Sequence, residues 1–246
     1  MSNTQKEMPE WFDGKKINEI LFCEAFRKEH PMICINDQFF TVDGLIADPR
    51  KLEAEIFNTI KYFVTEKVSN TVKSLMEVLK LMCYSAPLPL QTDRIHVANG
   101  TYYLDGRFEP EKQFCLNRVK VAYNETAPGP ERFLAFLEEL LYPEDIPTLQ
   151  EFMGYCLIPT NKAQKMMVIT GNGGEGKSCL GQVMRAILGD NMNNSSIQSI
   201  EKDRFARANL EHKLLMVDDD MKLQALPETS YIKTMVTLEG KMNIEW

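Results

Sequence analysis

The stretch Gly171-Asn172-Gly173-Gly174-Glu175-Gly176-Lys177-Ser178 decides how the second half of this sequence is read. It satisfies G-x-x-x-x-G-K-[ST] at every fixed position, and Gly173 and Gly174 add two glycines inside the loop. A phosphate chain lying against successive backbone N–H groups tolerates no Cβ on its approach side, and the tight turns it needs favour glycine. A helix starting at the end of the loop aims its N-terminal N–H groups and positive dipole end at the same anion. Lys177 adds a point charge for the β- and γ-phosphates, and the Ser178 hydroxyl suits magnesium. With glycine at about 7% of average usage, a chance match in a chain of this length has odds on the order of 1 in 100. The reading is a triphosphate cradle, with ATP and Mg2+ as its ligands.

Working outward, Lys165-Met166-Met167-Val168-Ile169-Thr170 is predicted to be a short buried strand. On the other side, Cys179–Leu188 has helical spacing through Leu180, Val183, Met184, Ile187 and Leu188, and Gly189 closes it. Strand, glycine loop and helix in this order is the context the motif demands.

A second constellation follows about 40 residues after Lys177, where Lys213–Asp220 reads KLLMVDDD. Leu214–Val217 is predicted to be a buried strand that ends in carboxylates. In P-loop enzymes a carboxylate at such a strand end holds magnesium, and its neighbour orients or deprotonates the attacking water. Asp218 suits the magnesium role and Asp219 the water-polarising role; Asp220 leaves the register open by one residue. The bland reading is a strand ending in a solvated acidic turn, but adjacent carboxylates repel one another and a cation is their natural counter-charge.

Composition sets the class. The chain has 246 residues, 44% hydrophobic and 26% charged, as in a globular protein. No apolar run approaches the ~18 residues of a membrane span, and the polar start MSNTQKEMPEW lacks a signal-peptide core. Six cysteines without CxxC pairs and three isolated histidines argue against a zinc site or a disulfide frame, and for reduced thiols in the cytoplasm. Residues 1–160 carry 17 Lys/Arg against 24 Asp/Glu, residues 161–246 carry 11 of each, and no basic run exceeds two residues. That is not the footprint of a tight duplex-DNA binder.

Elsewhere, helices are predicted over Ile17–Glu29, from Asp48-Pro49 through Phe63, over Asn70–Tyr84, Glu131–Leu141 and Asp145–Leu157. Met32–Val42 reads as a hairpin turning at Asn36-Asp37, and Arg94–Phe108 as a hairpin turning at Asn99-Gly100 and again at Asp105-Gly106. The stripes Phe133, Phe136, Leu137, Leu140 and Leu149, Phe152, Met153, Cys156 are read as core. Proline breaks at Pro87 and Pro89 mark one boundary, and with the P-loop core set apart the chain is read in three parts: 1–88, an α+β region of open role; 89–160, a hairpin and helices; and 161–246, the nucleotide-binding part.

With these residues in hand, the stretch from Asn99-Gly100 to Glu245 resembles the superfamily 3 helicases of phage and plasmid primase–helicase proteins, the poxvirus-type group. The similar pieces are Val97–Gly100 with its hairpin, Phe133–Leu141, Leu149–Leu157, the P-loop, KLLMVDDD, Ile232–Val236 and Glu239-Gly240-Lys241-Met242, in the family's order. The resemblance covers roughly the last 150 residues. It implies an α/β AAA+-like P-loop NTPase core, incomplete here, behind a mostly α-helical N-terminal region with short hairpins. It also implies a homo-hexameric ring, ATP hydrolysis, movement on single-stranded DNA during replication, and a primase domain or protein as partner. Lys177 and Ser178 fall on the family's phosphate lysine and magnesium hydroxyl, Asp218 and Asp219 on its Walker B acidic pair, and Lys241 near the base of its pore hairpin.

Two departures stand out. Glu175 replaces the Asn that many members carry before the last loop glycine, which brings a negative charge close to the phosphates. The sequence also stops at Trp246, ahead of the family's sensor Asn and arginine finger, so the expectation is a truncated product or fragment that binds ATP and unwinds little by itself. Two alternatives remain. A small kinase or GTPase would need an Arg-bearing lid or an NKxD-type motif, and neither is present. A non-enzymatic remnant that binds ATP or partner subunits fits the same sequence.

Overall fold

The computed structural model describes residues 8–219, 221 and 229–237. The fold is mixed α/β, with helices and small sheets. It divides into two compact units, residues 1–89 with 114–116, and residues 90–113 with 117–246.

The first unit is built on three helices: α1 (Glu19–Glu29), α2 (Pro49–Ile60) and α3 (Val68–Met82). Their starts follow from capping chemistry. The Asn18 side chain accepts the Leu21 N–H, and Asp48 accepts the Arg50 N–H just ahead of Pro49, whose missing N–H costs nothing in a first turn. Between α1 and α2 lies an antiparallel sheet of β1 (Ile33–Ile35), β2 (Gln38–Thr41) and β3 (Gly44–Leu45). Its first turn is Asn36-Asp37, both at positive φ (49° and 61°), as a two-residue hairpin loop requires. The apolar stripes converge on Phe22, Leu52, Ile56, Ile60, Leu75 and Leu79, all fully buried. Trp11 closes the core edge-on to Phe22 and Phe63, each with ring centroids 5.1 Å away.

The second unit opens with an antiparallel meander of β4 (Arg94–Val97), β5 (Gly100–Tyr103) and β6 (Phe108–Glu109). The turn is Ala98-Asn99 rather than Asn99-Gly100, because Gly100 pairs with Val97 as the first residue of β5. Helices α4 (Glu131–Leu140) and α5 (Ile146–Tyr155) follow. They bury Leu137 and Leu149 against Leu180, with Phe133, Phe136 and Leu140 around them, as their stripes predict.

Helix α6 (Lys177–Leu188) is the spine of this unit. Its first half packs through Leu180 on α4 and α5, and its second half through Met184 and Leu188 on Val97, Val119, Cys156 and Met192. The chain then forms β7 (Met192–Asn194), α7 (Ile197–Lys202), α8 (Arg204–Ala208), β8 (Leu215–Val217) and α9 (Ser230–Thr237). Strands β7 and β8 pair in parallel, Met192 opposite Leu215 and Asn194 opposite Val217. The sequence predicted the strand now seen as β8; its residues are half-buried, not buried. Nothing predicted β7, a polar three-residue strand.

The strand predicted over Lys165–Thr170 does not form. Residues 165–170 run into the loop without any ladder, and Met166, Val168 and Ile169 are 47%, 54% and 37% exposed. Among the described residues Met167 packs against the Leu137–Leu149–Leu180 cluster. Apolar β-formers state a propensity, but a strand exists only once a neighbour accepts its hydrogen bonds. Among the described residues no helix is long and apolar enough to cross a membrane.

Candidate functional site

The candidate site is the loop 171–178 at the N-terminus of α6. Helix α6 begins after Gly176, whose φ of 94° is a left-handed value unsuited to other residues, and Gly173 and Gly174 also have positive φ, 91° and 73°. The loop therefore turns sharply and delivers the chain into α6 with its first N–H groups unpaired by side-chain caps. Phe136 of α4 backs this turn: a Cβ on Gly176 would lie 3.2 Å from its ring. Gly171–Glu175 and Ser178 are exposed, and Lys177 is half-buried.

The loop's donors already converge on an anion. One carboxylate oxygen of Glu175 accepts the Asn172 N–H at 3.2 Å, and the other lies 3.0 Å from the Lys177 Nζ. Both Glu175 Oε2 and Lys177 Nζ sit against Gly171, where a Cβ would collide with them. The Lys177 ammonium first, and the Asn172 amide second, hold the Glu175 carboxyl below the usual carboxylate range. A carboxylate bridging a loop amide and the loop lysine has the partners a phosphate oxygen would take, so this donor set fits a phosphate chain.

The acidic constellation is placed by different means. Asp218 follows β8 directly, is half-buried, and accepts the Ile197 N–H at 2.9 Å through Oδ2. It thus secures the start of α7, next to Ser196, which caps that helix by accepting the Ser199 N–H. Asp219 lies in the following turn and is exposed. Asp220, Lys241 and the Glu239–Met242 segment lie outside the described residues. Among the described residues no group of three or more His, Cys, Asp or Glu is gathered as a metal site would be. The structure therefore brings Gly171, Asn172, Glu175 and Lys177 together by direct contact, with Gly173, Gly174, Gly176 and Ser178 on the same loop, while Asp218 and Asp219 stand at the end of β8.

Supporting residues around the site carried no sequence signal. Arg185 of α6 donates to Met192 O at 2.9 Å and Asn194 Oδ1 at 2.6 Å, tying the helix to β7. Buried Asn191 donates to Leu188 O and Arg118 O at 3.0 and 2.8 Å, joining the end of α6 to the segment behind the meander. Buried Glu201 accepts the Ile232 N–H at 2.8 Å at the start of α9, and the Arg207 guanidinium stacks 3.9 Å over the Tyr231 ring. Asn161 and Gln164, just ahead of residues 165–170, donate to Met235 O and Thr237 O at the other end of α9, at 2.5 and 3.3 Å.

Comparison with curated proteins finds no match. Residues 169–246, from Ile169 through the loop, α6, β7, β8 and α9, match DUF5906, a family of unknown function.

Proposed function

We propose that this protein is the ATP-binding portion of a replicative DNA helicase from a phage or plasmid-like element, one that couples ATP hydrolysis to movement on single-stranded DNA. The observation that carries the nucleotide half of this reading is the convergence of the Asn172 N–H and Lys177 Nζ on one anionic group at the N-terminus of α6. In the proposed site, Lys177 and the loop amides hold the β- and γ-phosphates, with the α6 dipole behind them. The Ser178 hydroxyl and the Asp218 carboxylate are the candidate magnesium ligands, and Asp219 is the candidate for orienting the attacking water. Magnesium, when bound, neutralises charge on the transferring phosphoryl group. The helicase half is supported by the order of the similar segments: the meander, α4, α5, the glycine loop, β8 with its aspartates, and α9. It extends the mixed α/β fold to an AAA+-like core and to a hexameric ring, with a primase as partner.

Titration with a fluorescent ATP analogue and Mg2+ tests the site. Lys177→Ala is expected to abolish binding while leaving the circular-dichroism spectrum unchanged. Unaltered affinity in that variant sinks the assignment. In the complete helicase, single-stranded DNA that raises the ATPase rate would support the second half, and a rate indifferent to DNA would refute it.

A further inference from the structure

We propose that Glu175 is an autoinhibitory latch of the cradle: its carboxylate occupies the place of a phosphate oxygen between Asn172 and Lys177, and it must swing out before a polyphosphate can enter. The proposal rests on the nucleotide-site reading above and adds a regulatory element to it. Its basis is geometric. Two donors of the cradle, the Asn172 N–H and the Lys177 ammonium, are both engaged by one side chain of the same loop, at 3.2 and 3.0 Å. The group is held against Gly171 instead of projecting away from the loop. A single lysine ammonium cannot give its full charge to a carboxylate and a phosphate at one position. Once displaced, Glu175 remains tethered within the loop and repels the ligand that displaced it.

The strength of the latch follows from its exposure. The Glu175 side chain is 43% exposed and that of Lys177 25%, so water and salt screen their attraction. Exposed ion pairs of this kind shift an equilibrium by about two- to fivefold. Such a latch leaves the site open to saturating ligand. It raises the concentration at which the site fills, and it favours ligands whose clustered phosphate charges outcompete one carboxylate for Lys177.

The test uses the full chain and two variants, Glu175→Gln, which keeps shape and removes charge, and Glu175→Ala, which removes the group. Affinity is measured with Mg2+ for a fluorescent ATP analogue, and by competition for inorganic pyrophosphate, which carries no base or sugar. Both variants are expected to bind both ligands about two- to fivefold more tightly than wild type, with a gain that shrinks as salt rises. Unchanged or weaker binding in both variants, with Lys177→Ala still inactive, overturns the latch and leaves the nucleotide site standing. A gain for the ATP analogue but not for pyrophosphate also overturns it, because the latch acts on phosphate alone. If wild type and both variants bind neither ligand, the nucleotide reading itself falls, and the latch with it.

Discussion

Replacing Gly176 with Ala is the sharpest test of the loop geometry, because a glycine inside the helix that follows supplies the control. Gly176 has φ of 94°, and a side chain in the left-handed region costs about 1–2 kcal/mol. The new Cβ would also sit 3.2 Å from the Phe136 ring, which is half-buried and must yield by a few tenths of an ångström. If the loop relieves this strain by leaving its present conformation, the same energy weakens the proposed ATP binding by roughly 5- to 30-fold, at about 1.4 kcal/mol per tenfold. Gly181 lies inside α6, and a Cβ built on it meets nothing within 4 Å. Gly181→Ala should therefore stabilise the protein by roughly 0.5–1 kcal/mol through helix propensity and leave ATP affinity unchanged. Fluorescent-nucleotide titration and urea unfolding of the two variants read both effects. Phe136→Leu in the Gly176→Ala background should restore only the steric share, since the dihedral cost remains. Wild-type affinity in Gly176→Ala, or equal losses in the two alanine variants, would refute the claim that the left-handed turn builds the cradle.

Two further outcomes are expected. Burial first, then the neighbouring Arg118 and Arg94 guanidinium groups, push His96 down to about 4, so its ring stays neutral where the unfolded chain would carry a proton. As pH falls from about 6.5 to about 4 the unfolded state alone takes that proton, so stability is lost across this window by up to roughly 3 kcal/mol. Urea midpoints measured along that range should fall in wild type and flatten in His96→Gln; parallel curves would contradict the assignment. Cys179 is exposed, whereas Cys23, Cys34, Cys83, Cys115 and Cys156 are buried, and burial pushes Cys23 up to about 12 and Cys156 to about 11. Ellman's reagent should thus titrate one thiol in the native protein and all six after denaturation, with the fast reaction lost in Cys179→Ser.

What was legible in the sequence was what neighbouring residues settle among themselves. Asp48-Pro49 announced the start of α2, Asn36-Asp37 a hairpin turn, and the spacing of Leu180, Met184 and Leu188 the buried face of α6. What depends on distant partners was not legible. Residues 165–170 have a strand's composition and no ladder, while Met192–Asn194 have a loop's composition and form β7 because Leu215–Val217 lie alongside. The same division runs through the candidate site. The glycine spacing and Lys177 could be read directly. Glu175 stood out as a charge in the wrong place, but its rotamer toward Lys177 is a packing outcome that no spacing rule contains. Asp218 was found as a strand-end carboxylate, whereas its bond to Ile197 N–H joins segments 21 residues apart.

This division gives the two halves of the site different sources of order. The cradle is held by contacts within the loop, from Asn172 to Glu175 and from Glu175 to Lys177, and by one ring from α4 behind Gly176. It keeps its form although the run leading into it makes no ladder. Asp218, by contrast, takes its position from the parallel pairing of β7 with β8 and from the first turn of α7. Arg185 couples the two, since it sits on α6 and bonds both Met192 O and Asn194 Oδ1 of β7. Damage to this link would leave the proposed phosphate contacts of Lys177 largely intact while loosening β7 and, with it, the parallel pair whose end carries Asp218. In the proposed enzyme, affinity for the nucleotide and the magnesium-dependent chemical step are thus separable. Arg185, which no motif marked, joins the two.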